Sequence, residues 1–115
     1  MSLPSHVRLV EVGPRDGLQN EAQPISVADK VRLVDALSAA RLSYIEVGSF
    51  VSPKAIPQMR DTAEVLDRID FGSSASRLLA IVANVRGAED AVQRKEITYL
   101  GFPLSLSETF QKRNT

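Results

Sequence analysis

The sequence predicts an α/β fold in which helices connect the strands of a parallel β-sheet. Short apolar runs alternate with amphipathic segments in the order βαβαβαβ, and parallel pairing is the usual arrangement for this order. Polar residues also follow successive predicted strands, namely Arg15, Asp16, Ser49, Asn84, Ser105, Ser107 and Glu108. Such residues suit the catalytic end of a (β/α)8 barrel and the ligand crevice of an open sheet, so this pattern leaves both architectures open.

The first βα unit and the second strand occupy the first fifty residues. The apolar run Arg8–Val12 predicts a buried strand, and Ser26 is a suitable N-cap for the helix that follows, with Asp29 in its first turn. One face of this helix carries the apolar residues Val27, Val31, Val34 and Leu37. The second strand is predicted at Ser43–Val47 and ends at Gly48.

The middle of the chain predicts a loop, a helix and a third strand. Two prolines place 49–57 in a loop, and a helix is expected from Gln58 to Ile69. Its predicted inward residues are Met59, Ala63, Leu66 and Ile69. A Gly/Ser-rich connection at 71–76 precedes the continuous apolar run Leu78–Ala83, which is typical of a strand that is covered on both faces.

The last third predicts a short helix at Gly87–Arg94, a fourth strand at Ile97–Gly101 and the start of another helix over Ser107–Asn114. Four strands cannot close a barrel, which usually takes about 250 residues. We therefore expect residues 1–115 to form a single incomplete domain, the first half of a longer protein. Residues 1–6 are expected to be unstructured or to originate from the expression vector.

Composition excludes several classes of function. The formal net charge of zero argues against nucleic acid or an anionic membrane as a partner, and the absence of cysteine excludes disulfides and thiolate metal sites. No apolar stretch approaches the roughly 20 residues that a membrane span needs. No secretory signal is recognisable at the start, so a cytoplasmic protein is expected.

The most informative segment is Val12–Glu21, which reads VGPRDGLQNE. It places Arg15 beside Asp16 in a glycine- and proline-containing turn directly after the first strand. An aspartate carboxylate is a suitable ligand for a divalent metal, and an arginine stabilises a developing oxyanion. Asp16 also has a purely structural alternative, since aspartate beside glycine commonly bonds its own backbone in a turn.

Glu46 is a second candidate, because it alternates with Ile45 and Val47 on an otherwise buried strand. A buried carboxylate is costly unless it is paired. We therefore expect Glu46 to bind either Arg15 or a substrate hydroxyl, with a role in the site.

Two long blocks of this sequence resemble the 3-hydroxy-3-methylglutaryl-CoA lyases, a branch of the metal-dependent barrel superfamily that also contains isopropylmalate and homocitrate synthases. The first block is Val12–Glu21, and the second is Ile45–Lys54 with the following Ile56–Met59. The resemblance implies the N-terminal half, about four βα units, of a (β/α)8 TIM barrel. It also implies metal-assisted retro-Claisen cleavage of the acyl-CoA to acetyl-CoA and acetoacetate, as in leucine degradation and ketone-body formation.

The resemblance implies roles for residues of both blocks. Asp16 is expected to bind Mg²⁺ or Mn²⁺ together with two histidines and an asparagine from later strands, and Arg15 to stabilise the enolate oxygen. Glu46 is expected to act with Arg15 as a catalytic residue. Because the remaining ligands and the family's loop cysteine are absent from residues 1–115, the isolated chain is expected to be inactive.

Three further residues are predicted to bind substrate, each with a structural alternative. Gln19 is expected to bond the substrate or to hold Arg15. Ser49 is a candidate substrate contact or a turn residue, and Asn84 orients substrate or caps the helix near Gly87. The sequence itself does not identify the general base.

Other functions remain open at this stage. A related enzyme of the same superfamily would cleave another acyl-CoA or run the condensation direction as a synthase. A different class is a non-catalytic half-barrel that associates with itself through exposed strand edges. We expect a homo-oligomer, most simply a dimer.

Overall fold

The computed structural model describes residues 2–104, 106 and 107. The helix predicted over Ser107–Asn114, apart from its first residue, lies outside these residues, as do Ser105 and Glu108. The elements follow the chain in the order β1 (Val10–Glu11), α1 (Val27–Ala39), β2 (Tyr44–Phe50), α2 (Thr62–Arg68), β3 (Arg77–Val82), α3 (Val85–Val92) and β4 (Ile97–Gly101). None of the described helices is long and apolar enough to span a bilayer.

The four strands form one parallel sheet, which confirms the predicted α/β class. Their order in the sheet is the order in the chain, β1-β2-β3-β4, so each strand pairs with the one that precedes or follows it. Helices α1 and α2 pack on one face around a core of buried side chains. This core consists of Val34, Ile45, Val47, Val65, Leu66 and Leu78. Sequential strands with both helices on the same face are the arrangement of a barrel segment.

Helix α1 forms where the sequence predicts it. The Ser26 hydroxyl accepts a hydrogen bond from the Asp29 backbone N–H at 3.1 Å, which satisfies one of the free amides of the first turn. Val34 is fully buried, and the other predicted inward residues pack partly buried against the core. Strand β4 also has the predicted bounds, Ile97–Gly101.

The prediction of a buried first strand over Arg8–Val12 is wrong. Strand β1 contains two residues, and Val7 and Leu9 before it are 75% and 80% exposed. The reason is its position: β1 is an edge strand that pairs with β2 at two positions, Val10 with Tyr44 and Glu11 with Ile45.

Strand β2 is longer than predicted. It continues through Ser49 to Phe50, because these residues pair with Ile81 and Val82 of β3. A register shift between Glu46 and Gly48 precedes this extension. Ser49 therefore lies in a strand and not in the predicted loop.

Strand β3 is covered on one face and only partly on the other, so the prediction of two covered faces is wrong. Leu78, Ala80 and Val82 are buried, whereas Leu79 and Ile81 between them are half-buried. The buried residues face the helices, and the half-buried ones lie on the opposite face, where described residues cover them incompletely.

The predicted helix at Gln58–Ile69 is divided into a 3₁₀ turn at Pro57–Met59 and α2. This break shifts the helical phase, so Ala63 is exposed instead of buried, while Thr62 and Val65 face inward. Helix α3 begins two residues earlier than predicted because Asn84 caps it.

Candidate active site

Arg15 and Asp16 lie in a single π-helical turn, Gly13–Gly17, directly after β1. Pro14 is buried at the start of this turn, and the backbone N–H of Asp16 donates to the Val12 carbonyl at 2.7 Å. Such π turns are rare in proteins, and those that do occur often lie at functional sites. The turn presents two adjacent charged side chains at the C-terminal end of the sheet.

Two acceptors hold the Arg15 guanidinium in place. Its Nε donates to Oε1 of Glu46 in a close ion pair, and its Nη1 donates to Oε1 of Gln19 at 3.3 Å. Glu46 is 7% exposed on β2, so its carboxylate has its expected charged partner. A charge-assisted pair of this kind fixes the orientation of a planar guanidinium. Gln19 thus contacts Arg15, the second of its two predicted partners.

Asp16 is the carboxylate of this turn that remains open to solvent. Its side chain is 55% exposed, and Oδ1 lies 3.7 Å from Nη1 of Arg15. No three acidic or histidine side chains cluster within residues 2–104, 106 and 107 in a way that would hold a metal ion. The exposed carboxylate can supply one ligand to a divalent cation, but such a cation takes about six ligands.

Ser49 is buried at the end of β2 and is held through its backbone. Its N–H donates to Thr62 Oγ1 at 3.2 Å, and that hydroxyl donates to the Met59 carbonyl at 2.9 Å. The Ser49 Oγ is buried and has no hydrogen-bond partner among the described residues. Gly48 permits this close approach, since a Cβ there would lie 2.5 Å from Thr62 Oγ1.

Asn84 caps α3, as its structural alternative proposed. Its Oδ1 accepts from the Gly87 backbone N–H at 2.8 Å. Asn84 and Ser49 line a groove between α2 and α3 with a volume of about 620 Å³. No hydrogen bond in the described part of the chain links either residue to Arg15, so the predicted residues divide between the Arg15 cluster and this groove.

Sequence reasoning missed two arginines in the groove, Arg60 and Arg86. For Arg86, the sequence contains a feature that could have identified it. Arg86 lies in the first turn of α3, which contains no acidic residue, and a cation at this position is opposed by the helix dipole.

Comparisons with known proteins give one consistent family. The family model described as HMGL-like matches residues 6–114. The chain is 55% identical over 116 residues to a 3-hydroxy-3-isohexenylglutaryl-CoA/hydroxy-methylglutaryl-CoA lyase of Pseudomonas aeruginosa, covering 99% of the chain and 37% of the relative. It is 46% identical over 115 residues to human mitochondrial hydroxymethylglutaryl-CoA lyase, covering 98% and 34%.

Solved structures give the same result for the fold. The crystal structure of hydroxymethylglutaryl-CoA lyase from Pseudomonas aeruginosa matches with a TM-score of 0.84 at 54% identity, over 99% of this chain and 37% of that one. An HMG-CoA lyase from Acinetobacter baumannii, in complex with coenzyme A and 3-methylmalate, matches with a TM-score of 0.86 at 39% identity, over 99% and 37%. The chain spans a little over a third of the length of these relatives.

Proposed function

Because the chain belongs to the HMGL-like family, we propose that the complete protein cleaves 3-hydroxy-3-methylglutaryl-CoA to acetyl-CoA and acetoacetate. In this proposal the chain forms the N-terminal part of one (β/α)8 barrel domain. The single observation that carries the proposal is the Arg15 guanidinium held by Glu46 and Gln19 beside the open Asp16 carboxylate.

Arg15 supplies the positive charge that the reaction needs. When the carbon–carbon bond breaks, the thioester carbonyl oxygen becomes an enolate oxygen and gains negative charge. A guanidinium has five N–H donors, of which Glu46 and Gln19 engage one each, so donors remain for that oxygen. A preorganised donor of this kind contributes roughly 3–4 kcal/mol to transition-state stabilisation.

Glu46 and Gln19 act by orienting Arg15. Both accept hydrogen bonds from it, and the buried position of Glu46 on β2 fixes the pair against the sheet. This arrangement requires no reorganisation of the guanidinium as charge develops. Ser49 and Asn84 are proposed to contact more distant parts of the substrate.

Asp16 is proposed to bind Mg²⁺ or Mn²⁺ with ligands supplied outside residues 1–115. When bound, such a cation polarises the tertiary hydroxyl of the substrate and favours loss of its proton. One exposed carboxylate does not retain a divalent cation alone. We therefore expect no detectable lyase activity from the isolated 115-residue chain.

A second substrate is favoured by one observation. The Pseudomonas aeruginosa relative, at 55% identity, is named for 3-hydroxy-3-isohexenylglutaryl-CoA as well as the methyl compound, and the human mitochondrial enzyme is 46% identical. The alternative proposal is a lyase that also accepts the longer branched acyl chain. Both substrates need the same charge on the enolate oxygen.

The test is a steady-state assay of the complete protein with both acyl-CoA substrates, with Mg²⁺, with Mn²⁺ and with a chelator. We expect cleavage of the methyl compound that depends on the metal. Cleavage of the isohexenyl compound with a comparable kcat/KM would establish the alternative. Lack of cleavage of either compound by a folded, metal-loaded protein would contradict the proposal, and condensation without cleavage would favour a synthase.

We also propose a cytoplasmic homodimer. In the 115-residue chain, the edge strands β1 and β4 and the exposed side chains of Leu100 and Phe102 offer apolar surface for self-association. In a closed barrel both strands would pair with later strands, so the dimer of the complete protein would form through other surfaces. Light scattering at several concentrations tests the assembly of the complete protein and, separately, self-association of the 115-residue chain. A monomer at every concentration would contradict the dimer.

A further inference from the structure

A lysine lies on the inward face of α1, among hydrophobic side chains. Lys30 is 5% exposed and is buried one helical turn before Val34. Its ammonium donates to the Asp61 carboxylate at 2.6 Å and also to the backbone carbonyl of Gln58. Burial of a charged group is costly, and replacement of a buried ion pair by apolar side chains of similar volume is often neutral or stabilising. Stability alone therefore does not explain why this ion pair is present.

Asp61 contributes to the ion pair instead of capping α2. It occupies the N-cap position of that helix, where an aspartate ordinarily accepts a hydrogen bond from a backbone N–H of the first turn. No such bond forms among the described residues, and the carboxylate is bound by Lys30 instead. The segment Pro57–Asp61 is thus fixed at two points, the Gln58 carbonyl and the Asp61 side chain, by one buried cation on α1.

The side chain of Gln58 extends from this fixed segment to the loop that follows β1. Its Nε2 donates to the Glu21 carbonyl at 3.2 Å, while its own backbone carbonyl is held by Lys30. Glu21 belongs to the turn that follows Gly17, because its backbone N–H donates to the Leu18 carbonyl at 3.1 Å. Gln58 therefore joins the loop after β1 to the loop after β2.

The residue before Glu21 continues this network to the candidate metal ligand. Asn20 donates from Nδ2 to the Asp16 backbone carbonyl at 2.8 Å, and its backbone N–H donates to the Gly17 carbonyl at 3.3 Å. The Asp16 side chain is 55% exposed, so packing against the core does not fix it. A displacement of Asn20 and Glu21 would therefore change where the Asp16 carboxylate lies.

We propose that Lys30 and Gln58 are positioning residues for Asp16. Lys30 fixes the segment that carries Gln58, Gln58 holds Glu21, and Asn20 holds the Asp16 backbone. The link between the two loops rests on these contacts alone. Its consequence for metal binding rests on the proposed function, in which Asp16 binds the divalent cation.

The variant Gln58→Met in the complete protein tests the side-chain link. Methionine has a similar length but no N–H donor, and the backbone carbonyl at this position remains available to Lys30. The matched control is Gln23→Met, the same change at an exposed residue of the loop after β1 that has no hydrogen bond to the described part of the chain. Circular dichroism checks that both proteins are folded.

The double variant Lys30→Met/Asp61→Leu tests the anchor. It replaces the buried ion pair by apolar side chains, so neither a lone buried charge nor a large cavity remains, and the fold is expected to persist. The Gln58 carbonyl loses its cation in this protein. A role in stability alone would be preserved by this change, whereas a positioning role would be lost.

Hydrogen exchange without metal, followed by mass spectrometry, measures the link itself. The amides of residues 17–21 are expected to exchange about three- to tenfold faster in Gln58→Met, the factor that corresponds to one lost hydrogen bond. The double variant is expected to show at least the same increase. Gln23→Met is expected to exchange like the wild type, since it removes no contact of this segment.

Titration with Mn²⁺, followed by the electron paramagnetic resonance of the free ion, measures the consequence for the metal. Gln58→Met and the double variant are expected to bind Mn²⁺ about three- to tenfold more weakly than the wild type. This loss is smaller than the 10–100-fold typical of residues that bond a metal ligand directly, because Gln58 acts through Asn20 and Glu21. Gln23→Met is expected to keep the wild-type affinity.

Three results would overturn the inference: unchanged exchange in Gln58→Met, an equal increase in Gln23→Met, or wild-type exchange and Mn²⁺ affinity in the double variant. The proposed function fails by a different result. A wild-type protein that binds no Mn²⁺ would contradict the proposed function, while the exchange measurement, which uses no metal, still decides whether Lys30 and Gln58 hold the segment. Metal-dependent cleavage with unchanged exchange in Gln58→Met would contradict the inference alone.

Discussion

The two faces of the sheet differ in how completely they are covered and in the residues that they carry. On the face that packs against the helices, Ile45 and Leu78 are 0% and 2% exposed and belong to one continuous apolar core. On the opposite face, Leu79 and Ile81 remain half-buried. Adjacent residues of one strand alternate between faces, so Glu46 lies on this open face between Ile45 and Val47 of the covered one.

This difference separates stability from chemistry. The covered face holds hydrophobic side chains that bury area and make no specific polar contact. The open face holds a carboxylate whose pairing with Arg15 orients a cation toward the C-terminal end of the sheet. The comparison implies that substitutions on the covered face lower stability, whereas substitutions at Arg15 and Glu46 lower activity beyond any loss of stability.

The largest stability effect is expected for Leu78→Ala. Removal of a fully buried leucine costs the transfer free energy of the lost methyl groups and leaves a cavity, in total about 2–5 kcal/mol. In the same 115-residue chain, Leu79→Ala is the matched control on the open face of this strand, and its cost is expected to be less than half as large because Leu79 is only half-buried there. Urea unfolding monitored by circular dichroism measures both. Equal losses would contradict the distinction between the faces.

A smaller loss is expected for Gly87→Ala, which tests the contact between α3 and β2. The added Cβ would lie 2.2 Å from the Phe50 carbonyl oxygen, so α3 must shift, at an expected cost of about 1–3 kcal/mol. Gly17→Ala is the control, because a Cβ there meets nothing within 4 Å. The same unfolding experiment applies. A Gly87→Ala protein as stable as Gly17→Ala would show that the helix is not tightly packed there.

The smallest effect is expected from an exposed ion pair that joins α2 to the end of α3. The hydrogen bond from Arg94 lowers the pKa of the Asp67 carboxyl, so this pair contributes stability above the ordinary aspartate pKa. The contribution is lost as the pH falls through the lowered pKa of the folded state, because the unfolded chain binds the proton first. Asp67→Asn is therefore expected to be slightly less stable than the wild type at pH 7. Thermal melts should converge at acidic pH, and a difference that grows with acid would contradict this sign.

Local signals in the sequence predicted most of the fold. The Ser26 cap and the apolar stripe of α1 are fixed by residues within one element, and the apolar run of β4 is bounded by its own neighbours. The ion pair of Glu46 was predictable for a different reason, since a carboxylate on a buried strand requires a partner and Arg15 follows the adjacent strand.

Features that depend on distant partners were not predictable. Strand β2 extends to Phe50 because its last residues pair with β3 and the Thr62 hydroxyl accepts a hydrogen bond from the Ser49 N–H. The residues near Phe50 in the sequence do not indicate either contact. The break before α2 moved Ala63 to the surface by changing the helical phase. The joint position of Arg60 and Arg86 required two elements separated by a strand to form one groove.

The most direct test of the account is kcat for Arg15→Gln in the complete protein, measured beside its free energy of unfolding. The account predicts a loss of about 10²–10³ in kcat, as for removal of a preorganised oxyanion donor. Because Arg15→Gln also leaves the buried Glu46 carboxylate without its charged partner, some loss of stability is expected, so kcat is compared at a temperature at which both proteins are fully folded. An unchanged kcat, or a loss of activity that only follows unfolding, would contradict the claim that the open face carries the chemistry.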